Sequence, residues 1–379
     1  MLKLHQVAAT PEWWRRLEHF SDRLTFHTQA WIRFLADTQH ATPIFAEVRD
    51  GSSVVGCFHS LIIRPFGCKV LASPFPGWGT DYMGFNLQPG VPRWLALQGL
   101  EQFAFRELGC MYFEVADRLF TMDDGRRVGF EQRISTTYET HLNRSELELF
   151  NALKRDCRTS VRKAQRCGVI VEEAAPNEEF IQEYYTQLTD VFLKQNLLPT
   201  YSLQKIRTFL QYLSPTGNIA LFRARNKEGE CIATAICHGL DKFALLWGTA
   251  SSRKYLHLRP NEALHWHALL YWKRRGAEFF DWGGGGDYKA KYASRKVEVI
   301  RLSKSRVPLL STLRDQAQKV YLQQHRWRSW WNIHHLGHSI EQKRLIMVIP
   351  CTHAPRTCTS RARLHSIREG QGGHCWAAL

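Results

Sequence analysis

The alternation of apolar and polar positions indicates that the chain contains the same mixed α+β unit twice. In each half a helical run ends at a glycine, Gly109 or Gly276, and an apolar strand then runs to an acidic residue. A glycine at the C-terminal end of a helix adopts positive φ without strain. A turn containing glycine also joins two apolar runs upstream, at residues 49–52 and 226–229. We therefore expect the two halves to superpose as two mixed sheets of the same topology.

The same periodicity locates the elements of the first half. Helices are expected near residues 11–22, 28–38 and 91–108. Strands are expected near residues 43–49, 53–63, 69–72 and 110–116. A loop rich in glycine, proline and aromatic residues covers 73–82 and follows the third strand.

A basic helix is expected to join the halves, over residues 145–168. Ser145 and Glu148 form a capping box at its start. Apolar residues at three- and four-residue steps give it one apolar face: Leu147, Phe150, Leu153, Cys157, Val161 and Ala164. Arg162 and Lys163 belong to the basic remainder, which is either a contact for an anionic substrate or a solvated helix face.

The second half is expected to repeat the order of the first. Helices are expected near residues 178–195, 203–213 and 261–275. Strands are expected near residues 169–173, 218–225, 231–239, 243–250, 277–282 and 296–303. The helix at 261–275 forms the one obvious βαβ crossover, which should be right-handed.

The length of 379 residues and the distribution of charge indicate how the chain is divided into domains. We expect an N-terminal domain over 1–144, a second domain over 145–309 and a tail over 310–379, helical first and then disordered. The net charge is +16, and residues from 301 onward hold 13 Lys and Arg against 3 Asp and Glu. This excess predicts an anionic partner such as nucleic acid, a phosphorylated ligand or a membrane surface, or else a solvated surface with a basic tail.

Other features indicate a cytoplasmic protein. The first residues lack the apolar segment of a signal peptide, no apolar stretch is long enough to span a membrane, and the ten cysteines are scattered. The Trp- and Arg-rich stretch at 326–346 is either a packed helix or a contact with the inner membrane surface. Cysteines and histidines after residue 350 do not have a zinc-site spacing, so no metal is expected.

Two loops in the second half are candidates for chemistry. The first, residues 251–261, carries Arg253 and Arg259 into a helix N-terminus, where backbone N–H groups bind phosphate. It is either a phosphate site or an ordinary exposed loop. The second, residues 281–292, reads DWGGGGDYKAKY at the C-terminal end of a strand, where open α/β sheets bind ligands. Its four glycines permit close backbone approach to a ligand or form a flexible connection.

These motifs resemble the FemAB/CelD-like acyltransferases, which contain tandem GNAT-like domains. The resemblance rests on residues 158–164 (RTSVRKA), on 276–292, and on 26–31 (FHTQAW), Gly56 and 81–82 in the first half. It covers about residues 10–310. It implies acyl transfer to an amine of a cell-envelope precursor or polysaccharide.

The resemblance also implies a donor site. It puts the donor pyrophosphate on the loop after the crossover strand, with four candidate donor-binding residues: Ser252, Arg253, Arg259 and Asn261. The family's glycine-containing loop is absent, because no glycine lies between Ser251 and Arg275. Acetyl-CoA, another acyl-CoA and aminoacyl-tRNA therefore all remain candidate donors.

Acyl transfer assigns roles to particular side chains. Asp281 is the candidate base, or else a carboxylate that holds the glycine loop. Tyr288 is a candidate acid for the leaving group, and His238 is either a second catalytic group or a core histidine. Candidate substrate contacts are Trp78, Asp81, Arg162, Lys163 and Lys289. The alternative function is a catalytically degenerate pair that docks RNA or an envelope or polysaccharide synthase.

Overall fold

The computed structural model describes residues 2–346, with backbone alone for residue 309 and residues 334–346. The strands of this part are β1 Lys3–Val7, β2 Thr42–Asp50, β3 Ser53–Ile63, β4 Val70–Ser73, β5 Phe85–Leu87, β6 Tyr112–Ala116, β7 Glu131–His141, β8 Ile170–Glu173, β9 Ile219–Arg225, β10 Cys231–Leu240, β11 Phe243–Ser251, β12 Phe279–Asp281 and β13 Arg295–Ser305. The α-helices are α1 Pro11–Leu17, α2 Gln29–Gln39, α3 Arg93–Gln102, α4 Met122–Val128, α5 Glu146–Ala152, α6 Arg155–Arg166, α7 Glu178–Leu193, α8 Leu203–Leu213, α9 Pro260–Arg274 and α10 Pro308–Ile346.

All thirteen strands belong to one continuous sheet. Its order is β1-β2-β3-β4-β6-β13-β7-β12-β11-β10-β9-β8, and β5 pairs with β3. From the β1 edge inward, five strands of the first half are followed by β13, the last strand of the second half. From the β8 edge inward, five strands of the second half are followed by β7, the last strand of the first half. Each half therefore has the same topology, as the sequence predicts, but the halves share one sheet instead of forming two. Because β7 and β13 are exchanged, neither half completes its sheet alone.

Each half contains a parallel βαβ crossover. In the second half α9 joins β11 to β12, and in the first half α3 joins β4 to β6. The expectation of one crossover is therefore wrong. The run at 69–72 is too short to show which neighbour it pairs with, and only the register with β6 shows that the pair is parallel.

The predicted linker helix is two helices. The capping box at Ser145 is confirmed, but Leu153 and Lys154 have extended backbone, with ψ of 146° and 150°. The break turns Leu153 into the core and lets the Lys154 N–H donate to the Lys291 carbonyl, 3.0 Å away. Leu147, expected on the apolar face, is 69% exposed.

The core also joins the halves. Trp31 and Phe34 of α2 meet Phe209 of α8, with ring centroids 5.7 and 5.4 Å apart. The opposite face of the sheet carries α9, whose Leu264 and Trp272 pack with Leu246 and Phe280. Successive side chains of a strand point to opposite faces, so β11 and β12 contribute to both layers.

The tail begins as a helix, as expected, and α10 runs from Pro308 to Ile346. No helix within residues 2–346 has the length and apolar character needed to cross a membrane. The disorder expected for 351–379, and the cysteines and histidines of that segment, lie outside the described residues.

Candidate active site

The cluster around Asp281 forms where two parallel strands separate. Asp281 is the last residue of β12 and pairs with Leu245 of β11 and with Glu139 of β7. Strand β11 continues to Ser251, so its residues 246–251 have β10 on one edge and no strand of the described chain on the other. The separation leaves a gap with Asp281 at its apex.

Neutral groups hold the Asp281 carboxylate. The Tyr82 hydroxyl donates to Oδ2 at 2.9 Å, and the Gly283 N–H donates to Oδ1 at 2.7 Å. The Thr137 hydroxyl also donates to Oδ1. Two of these three groups come from the first half, so Asp281 is positioned by the half it does not belong to.

Burial sets the protonation behaviour of Asp281. The side chain is 1% exposed, and burial raises its pKa to about 7, assisted by the negative charges of Asp81 and Glu139. The hydrogen bonds from Thr137 and Gly283 stabilise the charged carboxylate and so act to lower the pKa of Asp281. A carboxyl with a pKa near 7 exchanges a proton readily at neutral pH, which is what a general base requires.

Asp81 and Lys289 add charge beside this carboxylate. Burial raises the pKa of Asp81, against the attraction of Arg301 and Lys289. The Lys289 ammonium lies 3.3 Å from the Gly284 carbonyl oxygen, and burial lowers its pKa although Asp281 and Asp81 oppose that change. The structure thus brings Asp81 of the first-half loop into one electrostatic cluster with Asp281 and Lys289, which were predicted from the glycine-loop motif.

Glu139 has a different partner from Asp281. Arg118 approaches its Oε1 at 2.8 Å, and the same guanidinium lies over the rings of Phe243 and Phe279, at 4.6 and 5.0 Å. This ion pair lies next to Asp281 in the strand register.

The glycine loop is closely packed at three of its four glycines, and a Cβ at Gly286 would lie 2.7 Å from the Tyr288 ring. Gly283 has φ of +62°, and a Cβ there would lie 2.8 Å from the Leu246 carbonyl oxygen. A Cβ at Gly285 would meet Thr136 at 2.7 Å. The Gly283 N–H also binds Asp281, so the carboxylate does hold this loop, and the two expectations for Asp281 are compatible. Tyr288 follows the loop and is 56% exposed.

The predicted donor loop leads into α9. Residues Arg253–Leu258 form a 3-10 helix, Arg259 has φ of +60°, and α9 begins at Pro260. Arg259 therefore takes the left-handed conformation in which glycine is usual. Asn261 donates to the Ser251 hydroxyl at 3.1 Å, and the Arg253 N–H donates to Asp190 at 3.1 Å. Ser252 is partly buried in the same loop, where its N–H donates to the Ile232 carbonyl at 3.0 Å.

A cationic groove of about 740 Å³ opens beside this loop. We call it the α6/α9 groove, and it is lined by Lys154, Arg155, Asp156, Thr159, Ser160 and Arg259. The N-termini of α6 and α9 both open here, and neither has a side-chain cap. Uncapped N–H groups together with three cations suit a phosphate-bearing ligand.

The structure does not bring His238 to the Asp281 cluster. The ring is packed against Phe26 and Trp31, with centroids 4.9 and 4.8 Å away, and its nitrogens have no partner. Burial lowers its pKa to about 3. His238 pairs with Leu245 in the strand register and so lies two strands from Asp281. These surroundings are those of a neutral core histidine.

The remaining predicted contacts lie apart from the cluster. Arg162 and Lys163 are exposed on α6 and do not line the α6/α9 groove; the Arg162 guanidinium lies 5.3 Å from the Phe150 ring centroid. Trp78 is buried, and its carbonyl accepts a hydrogen bond from Lys205 at 3.3 Å. Trp78 therefore anchors the loop at 74–84 to the second half.

The sequence analysis missed Thr137, Glu139, Arg118 and Arg301 as neighbours of the cluster. Tyr82 was noticed only as part of a motif. Residues 136–140 alternate and are rich in threonine, which favours a strand, but no local signal pairs that strand with β12.

Comparison with known proteins agrees with this architecture. A family model described as an acetyltransferase (GNAT) domain matches residues 151–292. A crystal structure of FemX is similar over 78% of this chain and 96% of its own, with 13% identity and a TM-score of 0.64. A tandem GNAT protein from the clavulanic acid biosynthesis pathway is similar over 81% and 99%, with 12% identity and a TM-score of 0.50. No curated protein matches the chain by sequence.

These findings confirm the tandem GNAT-like fold that the motifs indicate. The match to the GNAT acetyltransferase model falls within the second half. At such low identity the two structures establish the fold, and the reaction has to be argued from this chain's own residues.

Proposed function

We propose that this protein is an N-acyltransferase. It transfers an acetyl or aminoacyl group from acyl-CoA or aminoacyl-tRNA to an amine of a cell-envelope precursor or polysaccharide. The observation that carries the proposal is a buried carboxyl with a pKa of about 7 at the apex of the gap between β11 and β12. The envelope or polysaccharide acceptor rests on the FemAB/CelD-like resemblance. A cytoplasmic location rests on the scattered cysteines, and contact with the inner face of the membrane rests on the Trp- and Arg-rich stretch at 326–346.

Asp281 acts as the base in this reaction. The amine nitrogen attacks the acyl carbonyl carbon, the amine proton passes to Asp281, and the bond to the thiol sulfur or the ribose oxygen breaks. The leaving group then takes up a proton, for which the partly exposed Tyr288 is the candidate donor. Tyr82 and Thr137 position the Asp281 carboxylate by hydrogen bonds.

The donor's phosphates fit the α6/α9 groove. Arg259, Lys154 and Arg155 supply positive charge, and the first turns of α6 and α9 supply N–H groups. The unpaired edge of β11 at residues 246–251 leads from this groove toward Asp281. Because the loop contains no glycine, the groove does not favour CoA over the phosphates of a tRNA acceptor end.

Donor binding tests this assignment directly. The thermal unfolding temperature of the full chain is measured with acetyl-CoA, with longer acyl-CoAs and with charged tRNA. A ligand at 100 times its Kd stabilises the folded state by about 2.7 kcal/mol, so the true donor should raise this temperature. Lys154→Gln with Arg259→Gln should weaken binding of the true donor roughly tenfold at low salt, and less at high salt. Arg253→Gln is the matched control, since Arg253 lies on the same loop but does not line the groove.

Two results would contradict this donor site. One is donor affinity that Lys154→Gln with Arg259→Gln leaves unchanged at low salt. The other is salt-sensitive binding of uncharged RNA without any acyl transfer, which would favour the alternative, a degenerate pair that docks RNA.

A further inference from the structure

The inner face of α10 is fixed to both halves of the molecule. Near its start, Arg314 donates to both Glu114 oxygens at 3.0 and 3.1 Å, and Arg133 donates to Asp315 at 2.6 Å. Further along, Ser329 is buried and accepts a hydrogen bond from the Leu198 N–H at 3.2 Å. These contacts fix the orientation of the helix, so the opposite face is held outward.

That outer face carries large apolar side chains. Leu313, Val320, Trp327 and Trp331 are 52%, 49%, 65% and 44% exposed. Steps of seven, seven and four residues keep them within about 40° of one direction around a helix of 3.6 residues per turn. Trp330, beside this stripe, is 48% exposed. Large apolar side chains grouped on one exposed helix face in this way mark an interaction site.

Positive charges flank the stripe on both sides. Arg328 lies on one side, and Lys319 and Arg326 lie on the other, and all three side chains are exposed. Asp315 is the one acidic residue among the described side chains of α10, and it is engaged by Arg133 and Arg314. The exposed charge beside the stripe is therefore entirely positive.

We propose that the outer face of α10 docks on an anionic phospholipid surface. Tryptophan rings partition to the boundary between headgroups and acyl chains, and flanking cations reach the lipid phosphates. A second copy of the chain is the poorer partner, because two-fold packing of the stripe on itself brings like charges together. This inference does not depend on the acyl-transfer proposal.

Vesicle binding by the full chain tests the proposal. The protein should co-sediment with vesicles of phosphatidylglycerol and phosphatidylcholine, less so at high salt, and weakly with phosphatidylcholine alone. Val320→Ser with Trp327→Ser should reduce partitioning roughly tenfold. Arg326→Gln with Arg328→Gln should reduce it roughly 25-fold on anionic vesicles, about fivefold for each charge.

Matched variants elsewhere on the surface provide the controls. Phe66→Ser removes an apolar side chain that is 93% exposed in the first half, and Arg33→Gln with Arg126→Gln removes two exposed charges away from α10. Both should bind vesicles like the unmodified protein, and thermal melts check that all variants fold. Equal binding to neutral vesicles, unchanged binding by the α10 variants, or a dimer that those variants dissociate would each overturn the proposal.

Discussion

Glu114 and Asp281 occupy equivalent positions in the two halves but have opposite surroundings. Glu114 is the third paired residue of β6 and lies beside Ala72 of the parallel strand β4. Asp281 is the third paired residue of β12 and lies beside Leu245 of the parallel strand β11. Glu114 is held by Arg314 at 3.0 Å and by Arg301 at 3.5 Å. Asp281 is held by two hydroxyls and a backbone N–H.

The exchanged strands account for this difference. Arg301 of β13 lies two residues before Ser303, the partner of Glu114, and Thr137 of β7 lies two residues before Glu139, the partner of Asp281. At matching positions, therefore, one acid receives a guanidinium and the other a hydroxyl. Glu114 therefore lies in a buried ion pair, whereas Asp281 has only neutral donors and burial raises its pKa.

The gaps beyond these residues differ as well. In the first half the chain itself fills the gap, since the Met83 N–H donates to the Ala116 carbonyl at 2.9 Å and the Phe85 N–H donates to Asp117 at 3.0 Å. A Cβ at Gly84 would lie 2.6 Å from the Asp117 side chain. In the second half Gly283 packs against Leu246 of β11, and residues 247–251 have no strand of the described chain beside them on that edge. One topology thus serves as scaffold in the first half and offers a site in the second.

The largest effect should come from Asp281→Asn. If Asp281 is the base, turnover per folded molecule should fall roughly 10²–10⁴-fold, measured as thiol release from acyl-CoA or loss of the acyl group from tRNA. Donor affinity should barely change, because the carboxylate acts on the acceptor amine. Normal turnover together with a loss of about 1–3 kcal/mol in stability would make Asp281 structural only.

Glu114→Gln should have the opposite effect to Asp281→Asn, because it should lower stability and leave turnover nearly unchanged. Removing the charge leaves Arg301 and Arg314 without their shared buried partner, so the free energy of unfolding should fall by about 3 kcal/mol. Turnover per folded molecule should stay within a few-fold of the unmodified enzyme. Urea denaturation measures the free energy of unfolding, and an activity assay of the same sample measures turnover per folded molecule. A stable but inactive Glu114→Gln variant would contradict the proposed difference between the halves.

The smallest effect should come from Tyr82→Phe. The lost hydroxyl stabilised the charged form of Asp281, so the pKa of Asp281 should rise from about 7 by up to about one unit. Since the deprotonated form is active, the acidic limb of the kcat/KM profile should move to higher pH, with normal rates at high pH. Tyr184→Phe removes a buried hydroxyl bonded to Tyr201 and should leave the profile unchanged. A uniform rate loss at all pH values would contradict this role.

Local patterns predicted much of the fold and part of the cluster. The helices at 28–38 and 203–213, the central strands of both halves and the second crossover appear as expected, because their apolar periodicity and glycine ends are local signals. Asp281 and Lys289 were found through the glycine loop that separates them. Strands β1, β5 and β7, helix α4 and the break at Leu153 were missed. The three strands and the break are stabilised by contacts far away in sequence.

The sequence by itself determined that two similar α+β units follow one another, that a basic helix begins the second, and that an acid and a glycine loop end its crossover strand. Only the tertiary structure decided that the units exchange their last strands. The exchange puts Thr137 beside Asp281 and Arg301 beside Glu114, 144 and 187 residues apart along the chain. Strand pairing at that separation depends on which edges meet in the folded sheet, and no local propensity specifies that choice.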